Sequence, residues 1–317
     1  MKFLIATLLS ATTLFTLSLS AAEGEDQDKN RPLEVLSISS DARLSTHVFI
    51  ADKASRKLSV FDRASLETGS AYQQFDIDIG KNDGDKKKRD DKRTPEGIYL
   101  LENKRTPPDI PFDLYGSMAF TTNYPNFFDK FENKTGSGIW LHSVPDNVPL
   151  NRGSKGCVVL RNDSIKKVEE YIQLNKTFML INNQINWLTP DEHAKEKDFA
   201  ISWMNTWKDQ WEKQDIDSYI KNYSEEFSAP NFNKKSWLEH KKHLKEKYKY
   251  VKINLSTPQI FHLKNQYIFQ FIQDYESDGH RDTGIKNLYV VKEGENLKIQ
   301  REEWLELKQT LSANKDQ

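Results

Sequence analysis

At Thr189-Pro190 the chain changes character, and that change sets its architecture. Upstream, short apolar runs at 48–51, 57–61, 98–101, 139–141, 158–160 and 178–181 are separated by Gly, Pro, Asn and Asp. Such runs read as strands. The first two flank a turn-like Asp52-Lys53-Ala54-Ser55-Arg56 and predict a hairpin. Residues 75–79 alternate apolar and polar, as a half-buried strand does, and Gly80 ends the run. One helix is expected here, over 165–174, capped by Asn162-Asp163-Ser164. Residues 32–36 read as a short helix or linker, and 127–135 as a polar loop. Downstream, Phe199, Trp203, Trp207 and Trp211 recur every four residues in a helix over 194–213. Helices over 216–223 and 234–248 follow, then strands at 251–255, 259–263, 266–275, 286–292 and 297–304. A mainly β domain with one helix therefore precedes an α+β domain, with the division near Leu188. A chain of 317 residues has room for both.

The first residues predict export. Lys2 precedes an apolar run to about Leu19, and Ser20-Ala21-Ala22 precede the acidic Glu23-Gly24-Glu25-Asp26. That is the layout of a signal peptide over 1–22. The alternative, an uncleaved anchor, meets a run interrupted by Thr and Ser and barely long enough to span a bilayer. A polar segment (23–44), two domains (45–188 and 192–307) and a polar tail (308–317) complete the expected layout. The chain carries 46 Lys+Arg against 47 Asp+Glu. Removing Lys2 with the signal leaves 45 against 47, a net of −2. So balanced a charge argues against a nucleic-acid-binding surface. Residues 81–93 hold seven Lys/Arg, four Asp and nothing apolar. They read as a solvated loop; the alternative is an arm that feels an anionic wall polymer.

Cys157 is the only cysteine, so neither an internal disulfide nor a cysteine-rich zinc site is possible. It opens one expected strand, and His142 closes another fifteen residues earlier. Neighbouring strands would bring thiol and imidazole to one sheet end, where the ring can take the thiol proton. In Asn151-Arg152-Gly153-Ser154-Lys155-Gly156, between them, the glycines allow the backbone to turn N–H groups towards an oxyanion. The competing readings are a buried structural cysteine and a strand-end histidine bonded to backbone. His240, His243, His262 and His280 lack metal-ligand spacing with acids. Residues 274–279 read as a hairpin turn, because Ile285 stands where a calcium loop needs glutamate. No phosphate-binding or dinucleotide glycine motif occurs. The tryptophan stripe reads as core.

His142 followed by Ser154-Lys155-Gly156-Cys157 and Arg161, with Thr94-Pro95-Glu96-Gly97-Ile98-Tyr99 upstream, resembles the L,D-transpeptidase catalytic domain, the YkuD-like fold. The likeness spans about residues 45–185. It implies a β-sandwich in which Cys157 is the nucleophile and His142 the base. Ser154 and Gly156 would serve the loop and oxyanion, and Arg161 would orient loop or substrate. The family's second motif histidine is replaced by Lys155. The whole layout is similar to the L,D-carboxypeptidases that set cell shape in helical bacteria, whose tail is NTF2-like. This resemblance implies a periplasmic enzyme without cofactor, acting on peptidoglycan stem peptides at the bond between meso-diaminopimelate and D-alanine. Water as acceptor makes it an L,D-carboxypeptidase and an amine makes it a transpeptidase; a non-catalytic wall-binding module is the remaining alternative. A glycan, a peptide or an envelope protein is the expected occupant of the second domain.

Overall fold

The computed structural model describes residues 29–307; the expected signal peptide and polar tail lie outside them. The chain runs β1 (Arg31–Pro32), β2 (Val35–Ser37), β3 (Val48–Asp52), β4 (Lys57–Phe61), α1 (Arg63–Thr68), β5 (Gln73–Asp76), β6 (Gly97–Arg105), α2 (Phe112–Tyr115), β7 (Ala119–Thr122), α3 (Phe127–Phe131), β8 (Trp140–Val144), β9 (Val158–Arg161), α4 (Asn162–Glu169) and β10 (Phe178–Asn182). After β11 (Trp187–Leu188) come α5 (Pro190–Glu212), α6 (Ile216–Tyr219), β12 (Ser228–Ala229), β13 (Phe232–Asn233), α7 (Lys234–Lys247), β14 (Val251–Leu255), β15 (Gln259–Leu263), β16 (Gln266–Ser277), β17 (Arg281–Glu293) and β18 (Asn296–Glu306).

The first domain is an eight-stranded sheet of order β5-β4-β3-β10-β6-β7-β8-β9. Its edges curl together. Asp78, just past β5, donates its N–H to Val159 O at 2.8 Å and accepts from Val159 N–H at 2.9 Å. This closure wraps the sheet around an apolar core that includes Phe49, Tyr99, Leu141, Val158 and Leu160. The predicted hairpin is β3–β4, antiparallel. Three short helices join the expected one. Residues 127–131, read as loop, form α3 because Asn126 and Asp129 make a reciprocal capping box. The expected cap of α4 is also corrected. Its N-cap is Arg161 and makes no side-chain cap bond, while Asn162 Oδ1 accepts from Ser117 N–H at 2.9 Å instead.

The second domain is a six-stranded sheet of order β18-β17-β16-β15-β2, with β14 also on β16, packed against α5, α6 and α7. Trp207 and Trp211 are buried in its core, and Trp203 packs against it. Thr189 caps α5 through Glu192, which starts the helix four residues earlier than its apolar stripe suggests. Residues 274–279 lie on the β16–β17 hairpin, as expected.

The N-terminal segment departs most from expectation. Instead of a helix or linker it forms β1, paired with β11, and β2, an edge strand of the second domain's sheet on β15. Here Glu34 is buried, with Oε1 taken by Asn182 Nδ2 at 2.8 Å and Asn186 N–H at 3.0 Å. A further apolar cluster joins the domains: Phe178 meets Phe261 with ring centroids 4.9 Å apart, and Phe128 meets Tyr289 at 5.5 Å. Among the described residues no helix is long and apolar enough to cross a membrane.

Candidate active site

Parallel pairing of β8 with β9 puts Leu141 opposite Val158 and His142 opposite Val159. His142 and Cys157 consequently line one cleft of about 350 Å³ with Asp78, Tyr115, Asn151, Ser154 and Lys155. The Cys157 sulfur accepts from Trp140 N–H at 3.4 Å and lies 3.4 Å from Gly138 O. Cys157 is half-buried and surrounded mostly by protein, and that burial pushes its thiol up to about 11. The Trp140 N–H and the Lys86 charge pull the other way. Burial likewise pushes the His142 imidazole down to about 4. The resting pair is thus a neutral thiol beside a neutral imidazole.

His142 Nδ1 lies 2.7 Å from Ser143 O. Only a protonated Nδ1 can make that bond, which leaves Nε2 as the proton acceptor. The ring is oriented by a backbone carbonyl rather than a carboxylate. Tyr115 packs against it edge-on, centroids 5.0 Å apart. The C-terminal end of α2 is held by Ser143, whose Oγ bonds Tyr115 O at 3.3 Å and Ser117 N–H at 3.0 Å. A Cβ on Gly116 would sit 2.4 Å from that Oγ, so glycine permits the approach.

The loop residues divide their work. Ser154 Oγ donates to Cys157 O at 2.8 Å and accepts from Gly156 N–H at 3.1 Å, which ties the turn before Cys157. Gly156 has φ +132°, and a Cβ there would meet Arg93 O at 2.6 Å. Its expected oxyanion role needs correcting, because its N–H is committed to Ser154 within the turn. For Arg161, expected to orient the loop or the substrate, the contacts are those of the loop alternative. It does not line the cleft; its Nη1 donates to Val148 O at 2.5 Å and Asp146 O at 3.3 Å, holding the loop. Lys155 is exposed. It lines both this cleft and a second one of about 350 Å³ beside Cys157, with Lys86, Arg89, Asp90 and Tyr115.

Sequence reasoning missed Asp78. Its carboxylate is buried and accepts from the N–H groups of Arg152 and of Gly153, the latter at 2.8 Å. It thereby anchors the loop that carries Ser154. The alternation over 75–79 placed Asp78 on a strand but gave no sign that the sheet closes onto β9.

The segment 81–93 is only partly a solvated loop. Lys86 is buried and bonds Asp91 Oδ1 at 2.7 Å, while Asp91 Oδ2 accepts from the N–H groups of Lys87 and Lys88 at 2.8 and 2.9 Å.

A second concavity lies on the C-terminal sheet. Two adjoining openings, of about 530 and 470 Å³, share Trp237, Lys286 and Trp304. Beneath them Glu302 accepts from Tyr223 Oη and, at 2.8 Å, from Lys286 Nζ. Lys241 Nζ lies 3.9 Å from the Trp211 ring centroid. Burial pushes Lys241 down to about 7, with Glu302 opposing the fall and Lys286 adding to it. Among the described residues no three His, Cys, Asp or Glu side chains gather as a metal site would require.

The L,D-transpeptidase catalytic domain model matches residues 46–181, and the model of the Cds6 C-terminal NTF2-like domain matches 200–303. No curated protein matches the chain. Among solved structures, Bd1075 of Bdellovibrio bacteriovorus is 49% identical, covers 88% of this chain and 99% of its own, and superposes with a TM-score of 0.82. The helical cell shape determining protein Pgp2 of Campylobacter jejuni is 29% identical, covers 88% of this chain and 96% of its own, with a TM-score of 0.66. The chain therefore belongs to the L,D-transpeptidase (YkuD) family, in the two-domain form that carries a Cds6-type NTF2-like domain behind the catalytic one.

Proposed function

We propose that the protein is an exported L,D-carboxypeptidase that trims peptidoglycan stem peptides from tetrapeptide to tripeptide and so influences cell shape. The observation that carries this reading is the shared cleft of Cys157 and His142, an open pocket with a thiol on one wall and a free imidazole Nε2 within it. In the first step the thiol sulfur attacks the carbonyl at the L-centre of meso-diaminopimelate, and its proton passes to His142. The Cys157 N–H stabilises the oxyanion. The C–N bond breaks, D-alanine leaves with the proton from His142, and an acyl-thioester remains. Water then adds to the thioester, the C–S bond breaks, and the tripeptide carboxylate and the thiol are released.

The second cleft supports water over an amine as acceptor. Lys86, Arg89 and Lys155 line it beside the sulfur with Asp90 as the one acidic lining residue; Lys86 is paired with Asp91 behind the wall, which leaves Arg89 and Lys155 as its excess positive charge. Such a wall suits the terminal carboxylate of D-alanine and repels an incoming ammonium. The sequence of residues 1–22 supports a periplasmic location. A cell-shape role is supported by likeness to Pgp2, described as a helical cell shape determining protein. The aromatic and charged groove at Trp237, Lys286 and Trp304 supports a glycan or peptide of the wall as the second domain's occupant.

Digestion of purified tetrapeptide muropeptides in oxygen-18 water, read by mass spectrometry, tests the reaction. A carboxypeptidase yields free D-alanine and a tripeptide carrying one oxygen-18. Crosslinks between two diaminopimelate residues would make the protein a transpeptidase, and no product would make it a binding module.

A further inference from the structure

The two domains also meet at a cluster of charges beneath the catalytic loop. The β15–β16 hairpin turns at Lys264, with φ 60°, and sends its ammonium into the first domain. Lys264 Nζ lies 3.1 Å from Glu96 Oε2 and 3.6 Å from Asp85 Oδ2. Both carboxylates are nearly enclosed, with side chains 11% and 9% exposed. Burial raises them, but Lys264 and Lys53 hold Glu96 below its usual range, and the Glu96 N–H with Lys87 and Lys134 does the same for Asp85. Lys53 Nζ reaches Glu96 Oε1 at 3.1 Å, and Lys134 Nζ reaches Asp85 Oδ2 at 3.1 Å. Glu96 N–H donates to Asp85 Oδ1 at 2.8 Å. Of the cations in this cluster, only Lys264 comes from the second domain. A neighbouring tie, Gln266 Nε2 to Glu132 Oε1 at 2.8 Å, fixes the same hairpin.

Asp85 and Glu96 bracket the segment that supports the nucleophile. Between them lie Lys86 and Arg89, on the wall of the cleft beside Cys157, and Arg93, whose carbonyl abuts Gly156. Thr94 Oγ1 accepts from Gly80 N–H at 2.8 Å, and Lys81 N–H donates to Ser154 O at 3.0 Å. The turn before Cys157 is thus tied through Gly80-Lys81 to a loop whose ends are joined by the Glu96 N–H to Asp85 and by Lys134, and to which the other domain adds one cation, Lys264. Lys264 itself is half-exposed, so its pairing adds little to overall stability. Its effect is on where the loop sits.

We propose that Lys264 is a positioning residue for catalysis: by bridging Asp85 and Glu96 it lets the docked second domain set the placement of the Lys86–Arg93 wall against Gly156 and Cys157. The part concerning turnover rests on the carboxypeptidase reading; the part concerning the thiol does not.

The test compares full-length wild type, Lys264→Met and Lys264→Arg by three readouts. These are kinetics of D-alanine release, the rate of Cys157 alkylation by iodoacetamide at fixed pH, and melting temperature. Lys264→Met should lower kcat about tenfold with KM little changed, since small misplacements at a reacting centre are costly. It should change the alkylation rate about threefold, through altered access and charge at the sulfur, and shift the melting temperature by less than about 3 °C. Lys264→Arg should restore both rates. Wild-type kcat and alkylation in Lys264→Met would overturn the proposal, as would equal impairment of the Met and Arg variants. Should Lys264→Met melt early, the cycle with Asp85→Asn decides. Effects on alkylation that do not exceed those of Asp85→Asn alone support the bridge, and additive effects refute it. If wild type releases no D-alanine, the reaction assignment fails while the alkylation arm still judges the bridge.

Discussion

The cleft at Cys157 and the network at Glu302 bury ionisable groups in opposite ways. In the first domain a thiol and an imidazole sit in low-dielectric surroundings with no opposite charge bonded to either, and both move towards neutrality. In the second, Glu302 is just as enclosed, yet Lys286, Lys241 and Tyr223 hold its carboxyl below the usual range against the upward push of burial. Burial alone discharges a group; burial among partners keeps it charged. The first arrangement leaves a proton to be moved during a reaction. The second fixes charge along an open groove.

That contrast predicts different responses to substitution. Replacing the base, His142→Gln, should cut D-alanine release by about 10²–10⁴-fold while the melting temperature stays near wild type. Wild-type activity should also persist as pH falls towards 5, because the imidazole remains an unprotonated base above about 4. Loss of activity centred on pH 6–7 would show an ordinary histidine and break the contrast. In the second domain the cost should fall on stability. Glu302→Leu leaves Lys286 and Lys241 without their buried anion and should cost about 3 kcal/mol, measured by chemical denaturation. A loss below about 1 kcal/mol would mean that the network is solvated.

Lys241 sharpens the comparison by its sign. Its folded-state value near 7 lies below that of an unfolded lysine, so between about pH 7 and 10 the unfolded chain binds more protons. Stability should therefore rise with pH across this window, by at most about 1.4 kcal/mol per unit. Lys241→Met should flatten the rise. Equal slopes in both proteins would place the ammonium in a charged, partnered state.

How much of this the sequence reveals depends on how local each cause is. Cys157 and His142 stand out because one is unique and both fall at strand ends fifteen residues apart. The Trp207 and Trp211 core follows from helical periodicity. Asp78, Lys264 and Glu302 are invisible by the same methods, since charged residues are common and only tertiary closure brings their partners to them. Residues 35–37 show the limit most clearly. Three residues after a proline carry little strand signal of their own, and their partners are Ile260 and Phe261, more than two hundred residues away. The α3 helix was missed for the opposite reason: its signal is entirely local but only one capping box long.

The most direct test of the central claim is D-alanine release from tetrapeptide muropeptides by wild type and by Cys157→Ala side by side. The account predicts release by the first, none by the second, and the same melting temperature for both. Equal release by the two proteins would take the sulfur out of the reaction.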